Sequence, residues 1–488
     1  MTLAILTLYL GLVLGVGLFG HRLLRRTGED FFLASRSIGP FILLMTLFGT
    51  HMTAFSILGA SGEAYHRGVG VFSLMASSSA LVVPIVFYFV GVRLWQIGKD
   101  HGYLTQVEFF RERWNSPGLA LVLFFLLVAL LIPYLLIGVM GGGITFEEVT
   151  GGTVPRQLGS LVICAVVSIY VTAGGIRATA WANTLQTLVF MSLGAITFAL
   201  IVHRLGGLDA ALATVNPALL VHGDRIPALM LLSYMLIPLS VGMFPHIFMH
   251  WLSARRAAAF RLPIVAYPVC VAVVWLPSVL LGVLGSAVVP GLEGPAANSI
   301  LLQMISLHAP GVMAGLLGAG VFAAVMSSLD SQILSLSTLF TQDIVQHYGL
   351  WGKTNDAQRV RIGRLFVVVI LSLTYLLSLV SNRSIFKLGV WSFTGYAALF
   401  PLAVAALFWR RSSKYGAWAS VLTAVVLWLY YFYRGWQEPG YTVAGSGLMP
   451  VAVILAASTL AMIAGSLIGP APDVESVERF FPRTPKRS

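Results

Sequence analysis

Long apolar runs alternate with short polar connections along the whole chain. Thirteen runs approach the ~20 residues that cross a ~30 Å hydrocarbon core. Their centres lie near Leu10, Phe48, Val82, Val128, Val166, Leu193, Leu236, Val274, Val321, Leu371, Leu399, Val425 and Ala457. The runs are apolar on every side. Inside a bilayer each backbone N–H and C=O must be satisfied within its own segment, so the pattern predicts helices. The longest connections, residues 204–225 and 289–310, could hold short surface helices but no soluble domain. Residues 103–114 mix aromatic and charged side chains and read as an interfacial helix. The tail after Pro470 is short and polar and reads as disordered.

Composition strengthens this picture. Of 488 residues, 58% are hydrophobic and 10% charged, with a mean hydropathy of +0.88. Soluble domains carry about 25% charged residues, so lipid must be the main solvent. Cys164 and Cys270 both fall inside apolar runs and read as reduced packing residues; two cysteines cannot make a disulfide framework. The first run starts almost at Met1 without a basic leader, and Arg22, Arg25 and Arg26 follow it. That order predicts a spanning helix rather than a cleaved export signal.

A net charge of +12 suggests nucleic acid until the charges are located. With the amino terminus outside, the inward connections and tail hold 23 of the 30 Lys and Arg residues. Such asymmetry follows the positive-inside rule. It predicts a multi-pass cell-membrane protein with its carboxyl terminus in the cytoplasm, and it makes nucleic-acid binding a poor reading.

Polar or irregular segments at membrane depth are costly and point to function. The second run contains Gly49-Thr50-His51-Met52-Thr53, followed by Ser56, Gly59, Ser61 and Gly62. This reads either as a local unwinding with free carbonyls or as a small-residue helix interface. In the seventh run, Gly242-Met243-Phe244-Pro245-His246 places a proline that should kink or break the helix. His246 and His250 sit one turn apart, but without a third ligand they make a weak metal pair. The ninth run carries Ser327, Ser328, Asp330, Ser331 and Gln332, with Ser335, Ser337 and Thr338 beyond. Hydroxyls with one carboxylate suit a hard cation such as sodium, or a packing seam. The sixth run adds Asn183 and Gln186 on one face.

Together these segments resemble the sodium:solute symporter family over residues 27–415. The strongest match is Met326-Ser327-Ser328-Leu329-Asp330-Ser331-Gln332 running on to Phe340-Thr341-Gln342-Asp343. Ser37-Ile38-Gly39-Pro40, Gly174-Gly175-Ile176-Arg177 through Gln186, and Pro245-His246 support it in the right order. The resemblance implies an all-α membrane protein with a five-plus-five inverted-repeat core. Its parts would be a first helix (1–26), two repeats (27–204 and 205–414), two peripheral helices (415–470) and a tail (471–488).

The resemblance further implies Na+ as coupling ion, held by carbonyls of Gly49, Met52 and Ala324 and hydroxyls of Ser327 and Ser328. Substrate-lining candidates are Thr50, His51, Thr53, Ser56, Gly242, Phe244, Trp391 and Tyr396. Many family members carry Asp where this chain has His51 and Asn183. Their absence argues for one sodium per cycle and suits an organic-anion substrate. Gly62-Glu63-Ala64-Tyr65, Ile132-Pro133-Tyr134 and Thr179-Ala180-Trp181 resemble the pantothenate and monocarboxylate branches. The expected partners are a small solute and the lipid bilayer, with no obligate protein partner.

Alternatives are a proton-coupled, amino-acid or sugar symporter of the same fold, and a solute sensor acting through a separate partner. A channel lacks a ring of charges or repeated filter segment. An enzyme is not expected, because no G-x-S-x-G or H-E-x-x-H string occurs.

Overall fold

The computed structural model describes residues 2–22, 33–222, 225–309, 311–349, 355–381, 383–436, 438 and 440–481. Arg25, Arg26, Lys353 and the end of the tail lie outside the described residues. The described chain is helical, apart from a single bridge between Ile38 and Ala254.

Among the described residues ten helices are long and apolar enough to span a bilayer, and counting each of two bent pairs as one span raises the number to twelve. In chain order, α1 (Thr2–Arg22) precedes the bent pair α2 (Pro40–His51) and α3 (Phe55–Arg67), which meet at 57°. Next come α4 (Phe72–His101), α5 (Gln106–Trp114), α6 (Pro117–Val149) and α7 (Arg156–Arg204). A second bent pair, α8 (Ala228–Gly242) and α9 (Pro245–Ser253), meets at 53°. Then follow α10 (Ala257–Val288), α11 (Ile300–His308), α12 (Gly311–Gln346), α13 (Asp356–Val380), α14 (Ile385–Phe408), α15 (Lys414–Gly435), α16 (Pro450–Ile468) and α17 (Val474–Phe480).

The remaining expected span is hidden inside α7. Its 49 residues would run for roughly 73 Å at ~1.5 Å per residue, over twice a hydrocarbon core. Gly175 interrupts it with φ 57° and ψ −157°, a conformation essentially restricted to glycine. The break separates the runs centred on Val166 and Leu193, so all thirteen predicted centres find a helix.

Burial sorts these helices into a core and a periphery. Most of α12 and α14 is buried, whereas α1, α13, α15 and α16 leave most of their surface for lipid. Against α12 lie α7, α6 and α2, and small residues let them approach closely. Gly49 of α2 meets Thr187 of α7 so tightly that a Cβ there would collide with its hydroxyl.

On the face carrying most basic residues the two bent pairs are tied together. Ile38 N–H donates to Ser253 O at 3.1 Å, and Arg255 N–H to Ile38 O at 2.9 Å. Arg36 donates to Tyr103 O at 2.9 Å, and Arg111 pairs with Asp343 at 3.3 Å.

Two surface expectations need correction. The tail is not simply disordered: Asp473 caps α17 by accepting from Ser476 N–H at 3.0 Å, and Phe480 is fully buried. Its ring packs on Phe109 and Tyr103 at centroid distances of 5.1 and 6.1 Å, while Arg479 pairs with Glu112 at 2.5 Å. The segment expected to be interfacial forms α5, started by Thr105 accepting from Glu108 N–H. It is buried beneath α17 instead of lying free on the membrane. Its Arg113 is wholly buried and donates to Ala406 O, Trp409 O and Ser412 Oγ. Burial lowers that guanidinium to about 10, leaving it charged near neutrality. Burial also raises the Glu108 carboxyl. The sequence placed charge at this surface but not the aromatic shelf that covers it.

Candidate functional site

The first bend forms because Met52 leaves helical geometry, at φ −83° and ψ 102°, while its N–H still returns to Phe48 O. Thr53 restarts the chain by accepting from Phe55 N–H at 3.0 Å. Such a break frees the carbonyls at the end of α2 from their intrahelical donors. One of them, Gly49 O, accepts from Ser327 Oγ of α12 at 2.9 Å. The same hydroxyl lies 3.0 Å from Ala324 O. Gly49, Ala324 and Ser327 therefore converge. Met52 is fully buried at the bend, and Ser328, one residue further on, turns its hydroxyl back to Val325 O at 3.1 Å. The donors available here are neutral oxygens, the ligand type a hard monovalent cation takes.

The second bend lies opposite. Pro245 begins α9 after Phe244 takes extended backbone. Phe244 sits at the centre of an aromatic cluster, 5.4 Å from Tyr134, 5.1 Å from His246, 5.5 Å from Phe393 and 4.9 Å from Tyr396. Gly242 ends α8 against Phe400, where a Cβ would not fit. Between the bends His51 stacks on Tyr267, and its Nδ1 is hydrogen-bonded to the Tyr267 hydroxyl.

His51, Phe55, Ser56, Tyr234, Trp275 and Phe393 line a small midplane cavity of about 20 Å³. That volume holds about one water molecule, so the site is closed around its own side chains. Thr50, Ser56, Tyr134 and His246 each carry buried polar atoms with no protein partner. Buried polar atoms seldom stay unpaired, and of these four residues Ser56 lines the cavity. Other candidates are already engaged. The Tyr396 hydroxyl donates to Leu127 O at 2.7 Å, and Trp391 lines a different, outer cavity.

Sequence reasoning missed the aromatic partners Phe55, Tyr267, Trp275 and Phe393. Aromatic residues are common in apolar runs, and nothing in a run says which ones face inward. It also left unconnected a polar network beside the cation-type donors. Asp330 is fully buried; its carboxylate accepts from Tyr170 Oη at 2.9 Å and from Ser331 Oγ at 3.2 Å. Asn183 donates to Ser331 Oγ at 2.8 Å, and His250 Nε2 reaches the same oxygen at 3.1 Å. That contact engages His250 with the network rather than with His246.

Both broken helices and the serine-bearing α12 lie within residues 31–424, which the family model for the sodium:solute symporter family matches. The chain belongs to the sodium:solute symporter family. Relatives in this family include the sodium/pantothenate symporter of Escherichia coli (strain K12), 27% identical over 477 residues, covering 95% of this chain and 96% of that protein. The osmoregulated proline transporter OpuE of Bacillus subtilis (strain 168) is 25% identical, covering 82% and 83%. Among solved structures, a Na+-coupled sialic acid symporter in a substrate-bound outward-open state superposes with a TM-score of 0.78 at 17% identity, covering 97% of this chain and 98% of that one. Mhp1, a nucleobase-cation-symport-1 family transporter in a closed conformation, gives 0.63 at 14% identity. The fold is thus that of inverted-repeat transporters. As a symporter-family member, the chain is a membrane transporter and not an enzyme.

Proposed function

We propose that the protein is a sodium-driven symporter that imports a small organic anion by alternating access. The observation that carries the reading is the meeting of Gly49 O, Ala324 O and Ser327 Oγ at the first helix break. A cation bound there would join α2 to α12. Met52 O and Ser328 Oγ complete the proposed set after small rotations at the break. An uncharged cage binds sodium weakly enough to release it, and its occupancy would hold the bend in one geometry. Relatives named for sodium-coupled transport support the choice of ion.

Substrate is assigned to the midplane between the bends, the usual position in such transporters. Thr50, His51, Thr53, Ser56, Gly242 and Phe244 contribute its walls, with Trp391 and Tyr396 behind them. His51 and the unpaired hydroxyls offer donors, and the aromatic cluster offers an apolar bed. That combination suits a small carboxylate whose body offers both polar groups and carbon surface, as pantothenate does. Residues 27–204 and 205–414 are assigned to the two repeats. The basic face is assigned to the cytoplasm, with the amino terminus outside and the carboxyl terminus inside.

The test is uptake of labelled pantothenate, pyruvate and lactate into proteoliposomes, with and without an inward sodium gradient. Sodium-stimulated uptake of any one supports the reading. Uptake driven equally by a proton gradient alone contradicts the choice of ion, and failure of all three contradicts the choice of substrate class.

A further inference from the structure

A cavity far larger than the midplane one lies elsewhere among the described residues. A vestibule of about 450 Å³ opens on the face opposite most of the basic connections. Its walls come from the end of α3, the outer part of α8, the first turns of α14 and the connection before α16. The floor is aromatic. Tyr234 stacks on Phe386 at 6.4 Å, and Phe386 stacks on Phe55 at 5.5 Å. Tyr234 borders both this vestibule and the midplane cavity. A single aromatic layer therefore separates the two spaces.

The charged groups of the vestibule are not equivalent. Glu63 and Arg67 neutralise each other at 2.7 Å. Lys387 has no such partner: its Nζ donates to the backbone oxygens of Trp436 at 2.6 Å and Glu438 at 3.4 Å, and it makes no ion pair with a described carboxylate. An ammonium carries three N–H donors, so one is left for the cavity. The Glu438 carboxylate is the nearby negative group, and its residue is exposed to solvent. Arg383 adds positive charge at the rim, 4.4 Å from the Trp436 ring. A cation set among mostly apolar walls attracts anions more strongly than one in open water.

We propose that this vestibule is a capture site for a small organic anion, whose carboxylate binds Lys387 and whose apolar body lies against Phe386, Trp391 and Tyr234. The chemistry of the ligand rests on the organic-anion reading above; the site itself rests on the cavity and its unpaired cation. Lys387 follows Phe386 directly in the chain, so a ligand drawn to the ammonium settles on the aromatic layer that must part before it can descend. Capture would raise the local concentration of anions over cations at the gate.

The test places a thiol reporter in the same wall with Val390→Cys, one turn beyond Lys387. Cys164 and Cys270 are buried and give little background. In proteoliposomes, the reporter is reacted with small anionic and cationic methanethiosulfonates, with Lys387 intact or changed to Gln. With Lys387 the anionic reagent should gain at least about fivefold over the cationic one, and millimolar pantothenate should slow it. In Lys387→Gln both effects should vanish while the cationic reagent still reacts at its parent rate and the gel-filtration profile is unchanged, which shows the variant is folded. Equal reagent preference in the two backgrounds overturns the proposal, as does the absence of protection by pantothenate. Sodium-driven uptake measured on the same vesicles separates the two readings: protection without uptake sinks the proposed sodium-driven import of this anion and leaves the capture site standing.

Discussion

Ser327 donates its hydroxyl across the helix break to Gly49 O while lying 3.0 Å from Ala324 O. In this closed arrangement the hydroxyl proton occupies the space between oxygens that a cation would otherwise bridge. Three residues on, the same helix holds the Asp330 carboxylate, and no described basic side chain pairs with it. The carboxyl is hydrogen-bonded by neutral groups, chiefly the Tyr170 hydroxyl. Leaving a buried polar group without its partner costs about 1–3 kcal/mol. Tyr170→Phe should therefore lower the Tm of the detergent-solubilised protein. Adding Asp330→Asn to that variant should cost less than the sum of the single changes, because the two share one interaction. Strict additivity in a thermal-melt cycle would show that the Tyr170–Asp330 bond contributes nothing.

Elements show how far residue patterns carry. Both bends lie where the sequence marks them, at Gly49–Thr53 by small and polar residues and at Gly242–Pro245 by a glycine and a proline. The physical signals differ: a missing donor at Pro245, and hydroxyl and imidazole groups that compete for backbone at the first bend. The break at Gly175 falls in the expected connection between the runs centred on Val166 and Leu193, but nothing in Gly174-Gly175 says which residue takes the unusual backbone. Only the backbone reveals that Gly175 needs φ 57° and ψ −157°. Gly175→Ala should cost about 1–3 kcal/mol of strain and cut the yield of monodisperse protein. Gly194→Ala, on the same long helix and with nothing within 4 Å of its new Cβ, should be tolerated. α17 was illegible for a related reason. Seven polar-rich residues make a marginal helix alone, and docking on Tyr103 and Phe109 stabilises it. Phe480→Ala should destabilise the protein by about 3–5 kcal/mol, the usual cost of emptying a buried phenylalanine site. A melting curve matching the parent would mean that α17 does not hold its place on α5.

At the scale of the molecule, the two faces differ. On the basic face the segments flanking the bent pairs are joined through Ile38, Ser253 and Arg255, and Arg36 and Arg111 close further contacts. On the other face a vestibule reaches down to one aromatic layer. This is a structure closed at its midplane and sealed most firmly on the basic side. Under the proposed alternating access, Tyr234 and Phe386 would part in one half of the cycle and Ile38 would separate from α9 in the other. Apolar runs and basic residues revealed the spans and their asymmetry, because both arise from contact with lipid and water. The vestibule was not legible, because Glu63, Tyr234, Lys387 and Glu438 come together only through packing between distant segments. The proposed sodium site joins the first bend to α12. Equilibrium binding of radiolabelled sodium to the purified protein tests it without reference to any solute. Binding should be saturable, displaced by unlabelled Na+ and not by K+, and weakened at least about tenfold, or about 1.4 kcal/mol, by Ser327→Ala/Ser328→Ala in a variant with an unchanged gel-filtration profile. Equal binding by the parent and that variant, or no saturable binding to either, would contradict it.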